Sequence, residues 1–166
     1  ILPLLTPLRT DSDKFPKVAN LKWHAAFLLK PIAGIKIARQ EFAPKPGSQV
    51  VALDQIPDAI PSLVWLPSDK EIVKEFTTVS DLVLQYGSQL FDGYESSQAL
   101  LFNLALDADF AVDEDANDIV QAMQEVLVAR QSSFAVRMVC DKSSSELQKF
   151  LAQKLNLKSD DIYAFD

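Results

Sequence analysis

The residue types that most often carry covalent or metal chemistry are scarce in this chain, which has one histidine, His24, and one cysteine, Cys140. A zinc site needs three or four ligands of these types, and a nucleophilic histidine needs an orienting group beside it. His24 follows Trp23 at the start of an apolar run, so we expect a strand histidine with a structural hydrogen bond. A small phosphohydrolase that uses His24 is the least favoured hypothesis, and it stays open.

Cys140 ends another apolar run, Phe134 to Val139. A cysteine in such a position usually behaves as a small buried hydrophobic residue, so we expect an inert thiol. With one cysteine the chain cannot form an internal disulfide, which agrees with a reducing compartment.

An acidic run between Asp107 and Asp118 is the best candidate for a calcium loop. Such a loop needs oxygen ligands at alternate positions, glycine at the sixth and usually glutamate at the twelfth. Counted from Asp107, the fifth position is Ala111, the sixth is Val112 and the twelfth is Asp118. The spacing therefore predicts a strand end followed by a helix start that is rich in capping acids, and no metal site.

Phosphate-binding loops need closely spaced glycines, because backbone N–H groups must approach the phosphate. The four glycines of this chain stand far apart and form neither a Walker nor a dinucleotide pattern: Gly34, Gly47, Gly87 and Gly93. The serines lie in no nucleophile-elbow context. The residues alone thus assign no catalytic, cofactor-binding or metal-binding position.

Charge is distributed unevenly along the chain, whose net charge is -7. Residues 1–50 carry eight Lys or Arg against three Asp or Glu, and residues 51–166 carry eight against twenty. The acidic part would repel nucleic acid, polyphosphate or anionic lipid. Four cations of the opening segment are candidates for contact with an acidic neighbouring domain or with a polyanion: Arg9, Lys14, Lys17 and Lys22.

Hydrophobic periodicity and turn signals predict the elements that must position these residues. We expect residues 1–20 to be irregular. The predicted strands are Trp23 to Leu29, Ile35 to Gln40, Val50 to Leu53, Leu63 to Leu66, Ala99 to Leu106, Phe134 to Val139 and Asp161 to Phe165. The predicted helices are Val79 to Leu90, Asp115 to Arg130, and one that starts at Ser143 with Glu146 completing a capping box.

This order predicts one α+β domain over residues 1–166, with a mixed sheet and about three helices packed on it. Trp65 and Phe76 stand near prolines and could face a partner, although single aromatic residues usually belong to a core. No run of about 18 apolar residues could span a membrane. The chain starts at Ile1 without methionine or a basic leader, so we expect a piece of a longer protein rather than a signal peptide.

Several segments in order resemble the middle domain of the long-chain polyphosphate kinases. The resemblance rests on the opening Ile1–Leu8, on Phe15-Pro16 and Asn20-Leu21, and on a strand ending in Leu-Pro at Leu63–Pro67. It continues through Glu75–Leu82, Leu90–Tyr94, Asp107–Asp109, Asp113–Asp115, Val136-Arg137 and Asp160–Tyr163. Two positions depart from the family pattern: Leu106 replaces an arginine, and Trp65 replaces a basic or polar residue.

The resemblance implies a parent enzyme that reversibly moves the terminal phosphoryl group of ATP onto polyphosphate, with magnesium and a phosphorylated histidine. The family's catalytic histidines lie in C-terminal domains that this chain does not contain, and His24 matches none of them. The middle domain would then be a scaffold that contacts other domains of its own chain and takes part in dimer contacts. The resemblance further implies a homo-oligomeric cytoplasmic enzyme, with membrane association left open.

A second hypothesis from a different class is a stand-alone interaction or regulatory module that kept the fold without kinase activity. A reading frame that continues past Asp166 into histidine-bearing domains would favour the kinase hypothesis. Modification of His24 by ATP would instead favour the phosphohydrolase hypothesis.

Overall fold

The computed structural model describes residues 2–10, 15–32, 50–67, 74–107 and 134–166. The strands in chain order are β1 (Leu8–Arg9), β2 (Trp23–Pro31), β3 (Val50–Gln55), β4 (Leu63–Leu66), β5 (Glu75–Thr78), β6 (Tyr94–Leu106), β7 (Ala135–Asp141) and β8 (Ile162–Phe165). The α-helices are α1 (Val79–Tyr86) and α2 (Ser145–Lys154), and short 3-10 helices span Leu2–Leu4, Gly87–Leu90 and Ser159–Asp161.

Six of these strands form one sheet in the order β1-β3-β2-β6-β7-β8, and β4 pairs with β5 in a separate two-stranded ribbon. All neighbours in the large sheet are antiparallel except β7 and β8. That pair is parallel because α2 carries the chain back across the sheet between them, as parallel strands require. The predicted α+β class with a mixed sheet is confirmed.

Both faces of the large sheet are covered, so its central strands are apolar on both sides. On one face α2 packs over a buried cluster that includes Phe102, Leu104, Met138, Leu147 and Leu151. On the other face α1 packs over a second cluster that includes Phe27, Val50, Val79, Val83 and Phe91. Residues 24–29 of β2 are consequently all buried, which explains why this strand shows no alternating pattern.

The helix predicted from Val79 to Leu90 begins as expected but ends early. Thr78 caps it by accepting a hydrogen bond from the backbone N–H of Asp81 at 3.0 Å, as a threonine before a helix commonly does. The α-helix ends at Tyr86 and continues as a 3-10 turn from Gly87. A Cβ atom at Gly87 would lie 2.4 Å from Cζ of the buried Phe27 ring, so the close approach of this turn to β2 requires glycine.

The predicted capping box of the last helix is wrong, since Ser144 rather than Ser143 caps α2. The Ser144 hydroxyl accepts a hydrogen bond from the Leu147 N–H at 3.1 Å and donates one to the side-chain carbonyl of Gln98. Ser143 instead lies with its hydroxyl 2.8 Å from the Ala99 carbonyl. Contacts with β6 thus decide between two serines that are equally able to cap a helix.

Other differences follow from pairings that are distant in sequence. The described residues contain two α-helices rather than about three, because the helix predicted from Asp115 to Arg130 lies outside them. The strand predicted from Ile35 to Gln40 also lies outside them. Residues 1–20, which we expected to be irregular, supply β1 to the sheet edge beside β3. Strand β5 was not predicted, and its partner β4 lies outside the large sheet.

Candidate functional site

His24 is buried at the start of β2, with 4% of its surface exposed. Its Nδ1 lies 2.9 Å from the Lys22 carbonyl, and because a carbonyl only accepts, Nδ1 carries the proton in this bond. The imidazole stacks on the Phe102 ring at a centroid distance of 5.5 Å. Burial lowers the pKa of His24, and the Lys22 hydrogen bond opposes this only in part. The predicted structural hydrogen bond is confirmed, and the ring is held neutral.

Asp54, near the end of β3, is a buried carboxylate that the sequence analysis missed. Its Oδ1 accepts a hydrogen bond from the Thr6 backbone N–H at 3.0 Å. Its Oδ2 has no hydrogen-bond partner within the described part of the chain. Burial raises the pKa of Asp54 from 3.8 to about 6, against the opposing hydrogen bonds from the Thr6 and Gln55 backbone. The Asp54 side chain is therefore expected to change between its charged and neutral forms near pH 6.

His24 and Asp54 both lie in the wall of a cavity of about 330 Å³ beside the C-terminal end of β3. Lys17 and Val18 also line it, together with apolar side chains such as Leu4 and Leu53. A triphosphate needs several cations or backbone N–H groups around it. Among the described residues, the lining of the cavity includes one lysine, Lys17, and one carboxylate, Asp54, and no glycine. The cavity therefore does not fit ATP with magnesium, and we derive no phosphoryl-transfer step in it.

Replacing Asp54 with asparagine is expected to stabilise the domain at pH 8. Because the folded-state pKa exceeds the unfolded value, Asp54 favours folding fully below pH 3.8, and this contribution is lost as the pH rises through about 6. One pKa unit is worth about 1.4 kcal/mol, so Asp54→Asn can raise the free energy of unfolding at pH 8 by at most about 3 kcal/mol. Because the protein and water around a buried charge relax, we expect an increase of about 1 to 2 kcal/mol.

Urea denaturation of the wild type and Asp54→Asn at pH 8 and pH 5 measures this gain. Asparagine keeps an acceptor for the Thr6 N–H, and Asp58→Asn, which changes an exposed carboxylate, is the matched control. We expect the gain at pH 5 to fall to about half of its value at pH 8. Equal stability of wild type and variant at both pH values would contradict the assignment.

The four basic residues of the opening segment are not all placed together by the described residues. Lys17 is exposed and lines two neighbouring cavities. Lys22 lies 2.9 Å from the carboxylate of Asp58, and both side chains are largely exposed. The backbone of Arg9 pairs in β1, and Lys14 lies outside the described residues. Their contact with an acidic domain or a polyanion stays a prediction.

Metal and thiol chemistry also find little support in the described ranges. No group of three or more His, Cys, Asp or Glu side chains in these ranges could hold a metal ion. The acidic run lies outside them apart from Asp107. Cys140 is fully buried, and burial, with the nearby Asp141 charge, raises the pKa of its thiol. A buried thiol with a raised pKa is a poor nucleophile, in agreement with the inert thiol that we predicted.

The aromatic residues of the β4–β5 ribbon are exposed rather than core. Trp65 and Phe76 face each other across the two strands, and their rings meet edge to face at 5.7 Å. Trp65 is 62% exposed and Phe76 is 55% exposed. The sequence could not show this pairing, because Phe76 belongs to the strand that the sequence analysis missed.

No helix within the described segments is long and apolar enough to cross a membrane.

Comparison with known proteins gives one consistent family. The model of the polyphosphate kinase middle domain matches residues 1–166. The chain is 26% identical over 170 residues to a polyphosphate kinase of Exiguobacterium sibiricum, and 29% identical over 167 residues to one of Mycolicibacterium gilvum. These matches cover 100% and 98% of this chain but only 22% and 21% of the relatives.

A solved structure supports the same fold. The crystal structure of polyphosphate kinase from Porphyromonas gingivalis matches with a TM-score of 0.65 at 17% sequence identity. The match covers 98% of this chain and 21% of that chain. This chain therefore spans about a fifth of the length of the relatives that it matches.

Proposed function

This chain belongs to the polyphosphate kinase middle-domain family, and from that premise we propose that it is a non-catalytic scaffold domain of a polyphosphate kinase. The parent enzyme transfers the terminal phosphate of ATP reversibly to polyphosphate. In this proposal ATP, magnesium and the phosphorylated histidine act in other domains of the longer chain. The scaffold holds those domains in place and contributes to contacts between the subunits of a cytoplasmic homo-oligomer.

The observation that carries the proposal is the state of His24, the single histidine of the chain. A phosphoryl acceptor must meet the terminal phosphate in line, beside groups that neutralise its oxygens. His24 is buried against Phe102, and its Nδ1 is occupied by the Lys22 carbonyl. The nearest cavity adds the Asp54 carboxylate, which repels phosphate. These contacts support the proposal that the phosphorylated histidine of the kinase lies in another domain.

The basic opening segment retains its proposed role in this setting, chiefly through Lys17. Lys17 is exposed and lines the cavity, whereas Lys22 already has Asp58 as a partner. The proposed contact is an acidic surface of a neighbouring domain, with polyphosphate as the second choice. Arg9 and Lys14 remain part of the proposal by their position in the sequence.

A stand-alone interaction module is the second candidate function, and the exposed Trp65–Phe76 pair is the observation that favours it. Exposed aromatic residues are enriched where proteins bind each other. The gene separates the two candidates, because a kinase requires a reading frame with further histidine-bearing domains.

Substitution of His24 in the longer polypeptide is expected to leave polyphosphate synthesis within about twofold of the wild type, a change of less than about 0.5 kcal/mol in activation free energy. The appropriate variant is His24→Asn, because the asparagine amide can still donate to the Lys22 carbonyl. Initial rates and thermal midpoints are measured on the same preparations. A loss of activity of about a hundredfold or more with an unchanged midpoint would refute the scaffold assignment.

A further inference from the structure

The β4–β5 ribbon presents one apolar face to solvent and one to the core. Directly opposed residues of an antiparallel pair share a face, so Leu63, Trp65 and Phe76 lie together on one side. Val64 lies on the other side and packs against the second core cluster. The exposed fractions on the outer side are 46% for Leu63, 62% for Trp65 and 55% for Phe76. These three residues are called the ribbon face below.

We propose that the ribbon face is a docking surface for an apolar patch on another domain of the same polypeptide. This inference rests on the proposed function, because it requires the longer chain. The relatives indicate how long that chain would be, because about four-fifths of their length lies outside the part that this domain matches.

The size of the ribbon face distinguishes a tethered domain from a separate partner. A fully buried aromatic side chain covers about 150–250 Å², so these three partly exposed side chains offer on the order of 300 Å². A stable interface between separate proteins needs about 800 Å² from each partner. A domain on the same chain is held at an effective concentration in the millimolar range. For such a domain a small apolar patch suffices.

Charge also disfavours a second copy of this chain on the ribbon face. Each copy carries a net charge of -7, so two identical surfaces would approach against a repulsive field. Among the described residues, the charged side chains near the ribbon face include the exposed Lys74, Glu75 and Asp81, of which Asp81 accepts a hydrogen bond from Thr78, the residue opposite Leu63. The edge-to-face contact of Trp65 with Phe76 orders the two rings before binding, which lowers the entropy lost on docking.

Thiol labelling at the rim of the ribbon face tests the proposal. Leu63→Cys places a thiol beside Trp65 and keeps both aromatic rings, and Cys140 is buried. Maleimide labelling of residue 63, followed by peptide mass spectrometry, is compared in the 166-residue chain and in the longer polypeptide. We expect labelling at least about tenfold slower in the longer polypeptide, which corresponds to about 1.4 kcal/mol of docking. Adding Trp65→Lys should restore the fast rate.

Phe134→Cys is the matched control, because Phe134 is also 62% exposed but lies before β7. Its labelling rate should not respond to Trp65→Lys. Equally fast labelling of residue 63 in both chains would overturn the docking proposal, and if the longer polypeptide still makes polyphosphate the scaffold function stands. Protection that appears in the 166-residue chain and fades on dilution would also overturn it, in favour of a second copy. Protection that Trp65→Lys does not relieve would place the contact elsewhere and refute it.

Discussion

Phe102→Ala is expected to lower the free energy of unfolding by about 3–5 kcal/mol, the range for removing a fully buried phenylalanine. Phe102 lies at the centre of β6, is completely buried, and packs in the cluster beneath α2. Its ring also stacks on the imidazole of His24. The cavity left by alanine would be surrounded by strands that are paired on both sides, so little collapse can fill it.

Urea denaturation followed by far-ultraviolet circular dichroism measures this loss. Phe134→Ala, at an exposed phenylalanine, is the control and should stay within about 0.5 kcal/mol of the wild type. A cost below about 1 kcal/mol for Phe102→Ala would show that β6 does not occupy the centre of the sheet.

Gly87→Val is expected to destabilise the domain by about 3 kcal/mol or more, at the upper end of the range for overpacking. Gly87 has an ordinary helical φ of -61°, so backbone strain plays no part. A Cβ at this position would lie 2.4 Å from Cζ of Phe27 and within 3.2 Å of both neighbouring ring carbons. Phe27 is fully buried in β2 and has little room to move.

Gly87→Ala shows whether a steric clash or helix propensity decides the stability at this position, because the two effects change the free energy of unfolding in opposite directions. Replacing glycine with alanine in a helix usually stabilises by about 1 kcal/mol, whereas here Gly87→Ala should destabilise. Phe27→Leu, which removes the end of the ring, should recover part of the loss when combined with Gly87→Val. Additive losses in that double variant would show that the two residues do not meet.

The parts of the fold that were predicted from sequence depend on local signals. The position of β2, the bounds of β4 and the start of α1 at Val79 follow from hydrophobic runs and turn residues. The parts that were missed depend on partners far along the chain. Strand β5 is four residues long and takes its structure from β4 and α1, and β1 exists because two residues reach the edge of β3.

In the candidate site, too, local sequence predicted one residue correctly and missed another whose environment depends on a distant segment. A histidine in an apolar strand predicts a structural hydrogen bond, and the Lys22 carbonyl is two residues away. Asp54 gave no signal, because an aspartate after an apolar run usually ends a strand in solvent. Its burial comes from the opening segment, whose Thr6 N–H reaches it across 48 positions of sequence. The exposure of Trp65 likewise follows from the ribbon lying outside the large sheet.

The opposite pH responses of His24 and Asp54 give the cavity a characteristic dependence on pH. The lowered pKa of His24 favours folding fully above pH 6.5, and that contribution is lost as the pH falls. The raised pKa of Asp54 has the reverse effect as the pH rises. Above about pH 6 the Asp54 carboxylate is charged, and its negative charge in the cavity wall disfavours the binding of phosphate.

The central claim is that this domain does not itself accept or transfer phosphate. The most direct measurement is incubation of the 166-residue chain with magnesium and ATP labelled on its terminal phosphate. Acid-labile protein label, label in added polyphosphate and label in free phosphate are then counted against a sample without protein. The account predicts no label above that background in any of the three. Acid-labile label that His24→Asn abolishes would contradict it and would make His24 a phosphoryl acceptor.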